Sequence, residues 1–278
     1  MSMVKKYIKE TLLVLLGVFY LSPIYIMLVN SFKDRSQLYE NVLALPEQFT
    51  LEYYQAAFQK MNFLSAFKNS LYITVVSIIF VVILASMTAW MLARTDNKLS
   101  RIIFMTFIAT MLIPFQTIMM PLMQEMSWIT RNIGIPMTNT HGGLIYMNIG
   151  FHSSMAVFLY HGFVKSIPRS LEEAATIDGA SKWGVFWRII FPLLKPTTVT
   201  VAILDVISIW NDYLLPSLTL KSKDLRTIPL STFYFFGEFT IQWNQAMAGL
   251  VMTIIPVVIF YMFAQKYIIK GIAEGAVK

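Results

Sequence analysis

The 278-residue chain contains no cysteine, and only 13% of its residues are charged. The missing thiols exclude disulfide bonds, thiolate metal ligands and a cysteine nucleophile. Soluble domains carry about 25% charged residues, so this chain has too few charges to solvate a globular surface. Apolar residue types make up 56% of the sequence and aromatic residues 14%. This composition excludes a disordered chain and indicates a protein that lies in a membrane.

A helix needs about 20 mostly apolar residues to cross the hydrocarbon core of a bilayer. Runs of this kind predict six transmembrane helices in an all-α protein. Four of the runs are nearly free of charge, whereas the fourth run in the chain carries several polar side chains and the fifth contains Asp205 and Asp212. The predicted spans cover residues 12–29, 71–92, 102–123, 144–164, 199–216 and 250–265.

Lys and Arg are distributed unevenly between the two sides that six spans would define. Most of the 22 positive residues fall in the N-terminal segment, two loops and the C-terminal tail, which all lie on one side. Because cytoplasmic segments carry an excess of Lys and Arg, both termini are predicted to be cytoplasmic. The same distribution accounts for the net charge of +7, so we assign no role to nucleic acid.

The predicted cytoplasmic loop at residues 165–198 contains signals for two short helices joined by a sharp turn. Ser170 and Glu173 have the spacing of a capping box, which predicts a first helix with Ser170 as its N-cap. Gly179 stands where a helix normally ends in the left-handed region, and Ser181 can cap a second helix. Such a rigid elbow is suited to docking another protein, and an ordinary capped loop helix is an equal alternative.

The order of residues in this loop resembles the EAA loop of binding-protein-dependent ABC importer permeases. The matching string is Glu173-Ala174-Ala175, Gly179, Ile189 and Phe191-Pro192, with Phe191 where the family pattern usually has leucine. The fuller string at residues 172–181 resembles the carbohydrate, maltose-type branch of the family. Further similarity appears at Asn69-Ser70-Leu71, Trp210-Asn211-Asp212 with Pro216, Trp243 with Ala248-Gly249, and the ending at residues 271–278.

The resemblance implies a transmembrane subunit with the type I ABC importer permease fold, in a bacterial cytoplasmic membrane. It also implies a second homologous permease subunit, two cytoplasmic ATPase subunits and an extracytoplasmic sugar-binding protein that meets the outward loop at residues 217–249. ATP and Mg²⁺ belong to the ATPase subunits in this family, so the chain is expected to have no cofactor, metal ligand or catalytic residue. The residues implied in ATPase coupling are Glu172, Glu173, Ala174, Ala175, Asp178, Gly179, Ala180 and Ser181.

Polar residues in the fifth predicted span are the candidates for the translocation path. A carboxylate at mid-membrane costs about 2.5–3.5 kcal/mol on insertion scales, so Asp205 and Asp212 are expected to face a cavity or a polar partner. For Asp205, lining the path and pairing with another buried polar group are equal alternatives. Asp212 is expected chiefly to hold a helix end or the second permease. The candidates are Asp205, Trp210, Asn211 and Asp212.

Three classes of function suit a membrane chain of this kind. The sequence lacks the phosphate-cradling G-x-x-x-x-G-K-[ST] motif, so an ATP-driven permease must rely on a separate ATPase. The alternative is an ion-coupled secondary carrier that uses Asp205 and Asp212, although such carriers usually show two matching halves, which are not seen here. An intramembrane enzyme ranks last, because no H-E-x-x-H or nucleophile motif is present. An oligosaccharide is the expected cargo, with smaller sugars, polyols and glycerol-phosphate esters left open.

Overall fold

The computed structural model describes residues 3–235 and 242–276, and this part of the chain contains helices but no strand. Val277 and Lys278, at the end of the family resemblance, lie outside the described residues, as does part of the outward loop at residues 217–249. The helices are α1 (Met3–Asn30), α2 (Arg35–Glu40), α3 (Glu52–Lys60), α4 (Phe63–Arg94), α5 (Lys98–Thr110), α6 (Phe115–Asn132), α7 (His141–Ser166), α8 (Ser170–Ile177), α9 (Lys182–Val185), a π-helical turn (Phe186–Ile190), α10 (Phe191–Leu193), α11 (Lys195–Asn211), α12 (Leu214–Thr219), α13 (Ile228–Thr232) and α14 (Trp243–Ala276), with short 3₁₀ turns at Lys223–Leu225 and Phe233–Phe235.

Three helices are long and apolar enough to cross a membrane as single rods: α1, α4 and α14. Two bent pairs bring the number among the described residues to five if each pair counts as one span. α7 is continuous over the predicted span at residues 144–164, but it is not apolar enough to join this set. The all-helical class is therefore confirmed, whereas the predicted number of six spans is not.

The third predicted span, at residues 102–123, is broken into two helices that meet at 107°. α5 ends at Thr110, and Pro114 is the N-cap residue of α6. The residue before a proline is disfavoured in the helical region, and Ile113 lies in the break between the two helices. Pro121 lies inside α6 without ending it. The apolar run at residues 102–123 is thus interrupted at Pro114.

The fifth predicted span, at residues 199–216, is also not one continuous helix. α11 ends at Asn211, and Asp212 adopts an extended conformation. The Asp212 carboxylate accepts hydrogen bonds from Leu214 N at 2.9 Å and Leu215 N at 3.4 Å. Short acidic side chains commonly satisfy the free amides at the start of a helix in this way. Asp212 therefore holds a helix boundary, one of the two structural roles expected for it.

The chain divides into two compact units, of which one combines the chain up to Leu64 with Ser231–Val258. Gly249 on α14 allows close packing in this unit. A Cβ there would lie 2.9 Å from the Phe235 ring and 3.0 Å from the Met61 sulfur. The core of the unit contains Ala57, Met61, Phe235, Ala246 and Ala248.

The other unit comprises Ser65–Leu230 and the chain from Ile259 onward. Ala85, Ala89 and Ala93 recur every four residues on α4, so they lie on one face of the helix and leave room for a neighbour. All three are buried in the largest core cluster of this unit. The cluster also contains Val157, Tyr160 and Val164 of α7, Phe186 and Ile190 of the π-helical turn, and Leu194.

Candidate functional site

The two-helix elbow predicted in the loop at residues 165–198 is present. Its first arm is α8, and its second arm begins with α9. Ser181 caps the second arm as predicted, because its hydroxyl oxygen accepts a hydrogen bond from Gly184 N at 3.2 Å. We call residues 170–190 the elbow.

Gly179 makes the turn between the two arms. Its φ is 84°, in the left-handed region that glycine adopts at least cost. Gly179 N donates to Thr176 O at 3.0 Å, and Ala180 N donates to Ala175 O at 2.9 Å. These two bonds form a Schellman motif, which satisfies the last carbonyls of α8. The glycine turn predicted from the sequence is confirmed.

The start of α8 differs from the predicted capping box. Arg169 is the N-cap residue and already has helical angles, φ −63° and ψ −29°, with no side-chain cap bond. Pro168 has its φ fixed near the helical value, which favours this earlier start. Ser170 is therefore the first helical residue and not the cap. The prediction that Ser170 and Glu173 cap each other is wrong, and the Glu173 side chain is exposed.

Glu172 anchors α8 to α4. Its Oε1 lies 2.6 Å from Arg94 Nε, and its Oε2 accepts a hydrogen bond from Trp90 Nε1 at 3.0 Å. Arg94 Nη2 also donates to Ile167 O at 2.9 Å. The Glu172 and Arg94 side chains are each only 15% exposed, so water and salt screen this ion pair weakly. We call Trp90, Arg94 and Glu172 the clasp.

Aromatic rings support the elbow next to the clasp. The Phe186 ring is buried, and its centroid lies 5.4 Å from Trp90 and 5.9 Å from Phe191. Phe191 occupies the position where the family pattern usually has leucine, and its ring also contacts Trp187 at 5.0 Å. The departure from the pattern therefore keeps an apolar side chain in a packed cluster.

The predicted coupling alanines do not share one side of the elbow. Ala175 and Ala180 pack against the core of the bundle, whereas Ala174 is exposed. Ala175 and Ala180 therefore bring the elbow close to its own bundle, and Ala174 is the most exposed of the three.

Two large apolar side chains of the elbow are exposed to solvent in this chain. Ile177 is 86% exposed and Trp183 is 61% exposed. Sequence reasoning did not select either residue as a site. Glu173, Ala174 and Asp178 are also exposed, and we call these five residues the tip face. Two large exposed apolar side chains on a short capped elbow make it a candidate interaction surface.

The candidate path residues of the fifth predicted span do not form one surface. Asp205 is 5% exposed, and His152 Nδ1 donates to its Oδ1 at 3.0 Å. Asp205 Oδ2 has no hydrogen-bond partner within the described part of the chain. Trp210 is buried, whereas Asn211 is exposed. Asp205 thus pairs with a polar group, one of its two alternatives, and the lining of a path stays a prediction.

The three histidines lie in separate environments. His141 Nε2 lies 3.0 Å from Leu225 O, and the His161 ring stacks on Phe104 with a centroid distance of 3.7 Å. Among the described residues, no three His, Cys, Asp or Glu side chains come together as a metal site would require. We therefore describe no metal centre.

Comparison with known proteins identifies the family. Residues 81–274 match the model of the binding-protein-dependent transport system inner membrane component. The probable starch degradation products transport system permease protein AmyC of Thermoanaerobacterium thermosulfurigenes is 49% identical over 99% of this chain and 98% of its own length. The melibiose/raffinose/stachyose import permease protein MelC of Bacillus subtilis is 35% identical over 92% and 91%. The chain belongs to this family of inner-membrane transport components.

A solved transporter shares the fold. The bacterial ABC transporter involved in the import of the acidic polysaccharide alginate matches with a TM-score of 0.80 at 23% identity, over 96% of this chain and 98% of that chain. The expected ABC importer permease fold is therefore confirmed. Together with the family match, it makes this chain a permease subunit and not an enzyme. The alternative of an ion-coupled carrier is not supported.

Proposed function

We propose that this chain is the permease subunit of an ATP-driven sugar importer, with oligosaccharides as its cargo. Relatives named for starch degradation products and for melibiose, raffinose and stachyose support this class of cargo. The transporter of similar fold is involved in the import of a polysaccharide. The chain would form half of the translocation pathway, for which the candidates remain Asp205, Trp210, Asn211 and Asp212.

The importer would require a second homologous permease, two cytoplasmic ATPase subunits that bind ATP and Mg²⁺, and an extracytoplasmic sugar-binding protein. A solved alginate transporter in complex with a pentasaccharide-bound periplasmic protein supports the last of these. Only 6% of the apolar stretch of α1 is buried within this chain, which leaves its surface available to lipid and to a neighbouring subunit. We place the protein in a bacterial cytoplasmic membrane with both termini cytoplasmic, and the loop at residues 217–249 toward the binding protein.

The combination of anchored and exposed residues in the elbow carries the proposed coupling role. The clasp, Ala175 and Ala180 attach the elbow to the bundle, while the residues of the tip face are exposed. An element that is firmly attached to the bundle and exposed to a partner can transmit the partner's movement. Gly179 and Ser181 would set the angle of the elbow. Glu173, Ala174 and Asp178 would contact the ATPase together with Ile177.

Replacing Ile177 by aspartate tests the contact with the ATPase. In the proposed contact the charged side chain would be buried against the ATPase, so we expect recovery of the ATPase with the chain to fall about tenfold or more. The tagged chain is purified from its native membranes in mild detergent, and the ATPase that accompanies it is quantified. Ile177→Val, which keeps an apolar side chain, is the matched control and should behave as the wild type.

The tip-face contact and the importer assignment would be contradicted by different results. Equal ATPase recovery with Ile177→Asp would remove the tip face from the contact but leave the importer assignment standing. Wild-type chain that purifies without any ATPase would contradict the importer assignment itself.

Replacing Gly179 by valine is expected to impair coupling through backbone strain. No atom lies within 4 Å of the position that a Cβ would take, so the Cβ itself meets no neighbour. A β-branched residue held in the left-handed region costs roughly 1–3 kcal/mol. Sugar uptake by whole cells, divided by the amount of chain in the membrane, should fall. Gly179→Asn is the control, because asparagine tolerates this region, and uptake should largely persist. Normal uptake with valine would show that the turn conformation is not required.

A further inference from the structure

A cavity of about 410 Å³ opens beside the base of the elbow. The end of α4, the start of α5, the end of α7 and the segment that leads into α8 surround it. Its polar wall carries four cationic side chains, Arg94, Arg101, Lys165 and Arg169, and one carboxylate, that of Asp96. The cavity therefore concentrates positive charge at the end of the bundle that bears the elbow.

Two of these four cations, Lys165 and Arg169, have no carboxylate partner within the described chain. Arg94 is already held in the clasp. Arg101 Nη2 lies 3.7 Å from Asp96 Oδ1, but both side chains are largely exposed, and such surface pairs contribute little. Arg169 Nη2 lies 3.5 Å from a backbone oxygen, that of Arg94. Among the described residues, neither Arg169 nor Lys165 forms a salt bridge with a carboxylate.

Four apolar side chains also line the cavity, beside the uncharged polar residues Thr95, Asn97, Ser100 and His161. The apolar ones are Leu92, Ala93, Phe104 and Met105. Met105 is exposed and continues into the exposed apolar surface of α5, which includes Ile102. Because α5 is one arm of a candidate span, this surface is suited to hydrocarbon, while cations at the end of a span lie at the headgroup level. The cavity thus offers cations to a headgroup and an adjoining apolar surface to an acyl chain.

We propose that this cavity binds the phosphate group of an anionic membrane phospholipid through Arg101, Lys165 and Arg169. Basic pockets between transmembrane helices are suited to phospholipid headgroups, and bonds between cations and phosphate are strong. A free phosphate ester offers similar phosphate oxygens but no acyl chain, so the adjoining apolar side chains favour the lipid. The bound phosphate would link the α4–α5 turn to the segment that leads into α8. It would thereby stiffen the base of the elbow.

Native mass spectrometry of the intact purified transporter tests the site by measuring how much added phosphatidylglycerol remains bound after delipidation. Arg101→Gln combined with Lys165→Gln is expected to lower lipid occupancy about tenfold or more, because two charge-assisted hydrogen bonds are lost. Lys98→Gln with Arg188→Gln is the matched control, since it removes the same charge from exposed positions outside the cavity. Arg101→Lys with Lys165→Arg keeps both charges and should retain the lipid.

Two results would overturn the proposal of a lipid site. Equal retention, or equal loss, in the cavity variant and the control would show that the cavity contributes no specific binding. Displacement of the lipid by inorganic phosphate or glycerol 3-phosphate would assign the cavity to a free phosphate ester. Lipid occupancy is measured without transport, so failure of this proposal leaves the proposed importer function untouched.

Discussion

Replacing Glu172 by alanine is expected to lower ATP-driven sugar uptake more than about tenfold, while the chain still inserts into the membrane. The change leaves Arg94 without its ion-pair partner and the Trp90 N–H without its acceptor. Removing one partner of a buried ion pair costs about 3–5 kcal/mol, and the partial exposure of the clasp lowers the expected cost to about 2–3 kcal/mol. α8 would then lose its attachment to α4. Uptake of labelled oligosaccharides by cells, divided by the amount of chain, measures the effect.

A double-mutant cycle shows whether the clasp is the cause. Arg94→Ala should reduce uptake about as much as Glu172→Ala, and the double variant should be no worse than either, because the same contact is lost. Glu173→Ala removes the neighbouring exposed carboxylate and is the matched control. It should weaken ATPase recovery but leave the thermal stability of the chain unchanged, whereas Glu172→Ala should lower both. Wild-type uptake with Glu172→Ala would show that attachment of α8 to α4 is not needed for coupling.

The parts of the elbow that the sequence predicted correctly are those set by local chemistry. Gly179 is recognisable because a left-handed turn limits the choice of residue. Ser181 is recognisable because its cap bond reaches only three residues along the chain. The start of α8 was misplaced, because Pro168 competes with Ser170 for the beginning of the helix and the spacing of the capping box does not weigh that competition.

The clasp was not predictable from one sequence. Its ion pair joins residues 78 positions apart, and a glutamate in the first turn of α8 already suits the positive end of the helix. Nothing local therefore indicates that Glu172 has a partner on α4. Ile177 was missed for a related reason, since an isoleucine in a short amphipathic helix normally indicates a core position. Only the packing of the elbow shows that Ile177 is exposed.

Hydropathy predicted where the chain is apolar better than where its helices are continuous. A window of about 20 residues averages over a short break, so the interruption between Thr110 and Phe115 leaves the apolar signal of the third span intact. The aspartates of the fifth span illustrate the same limit. Asp205 lies within α11 and pairs with His152, whereas Asp212 lies beyond the helix and starts the next one. Identical residue types seven positions apart therefore have different structural roles.

Replacing His152 by alanine is expected to destabilise the chain more than replacing its partner Asp205. His152→Ala leaves a buried carboxylate with neither oxygen hydrogen-bonded, because Oδ2 has no partner among the described residues. An uncompensated buried charge costs about 3–5 kcal/mol. Asp205→Ala removes the charge and leaves an imidazole that is 18% exposed, at a cost of about 1–3 kcal/mol. Thermal unfolding of the detergent-purified transporter, followed by tryptophan fluorescence, measures the loss of stability in each variant, which should be larger for His152→Ala than for Asp205→Ala.

The double variant His152→Ala with Asp205→Ala tests whether Asp205 acts by pairing with His152, and Asp205→Asn tests whether its charge serves the translocation path. Adding Asp205→Ala to His152→Ala is expected to recover stability, since the buried charge is then gone and the two effects are not independent. Losses that simply add would contradict the pairing. Asp205→Asn is the control, because it keeps the size of the side chain and an acceptor for His152. Normal stability and normal uptake would make Asp205 a structural residue. Normal stability with lost uptake would show that its charge acts on the cargo or on the movement of the spans.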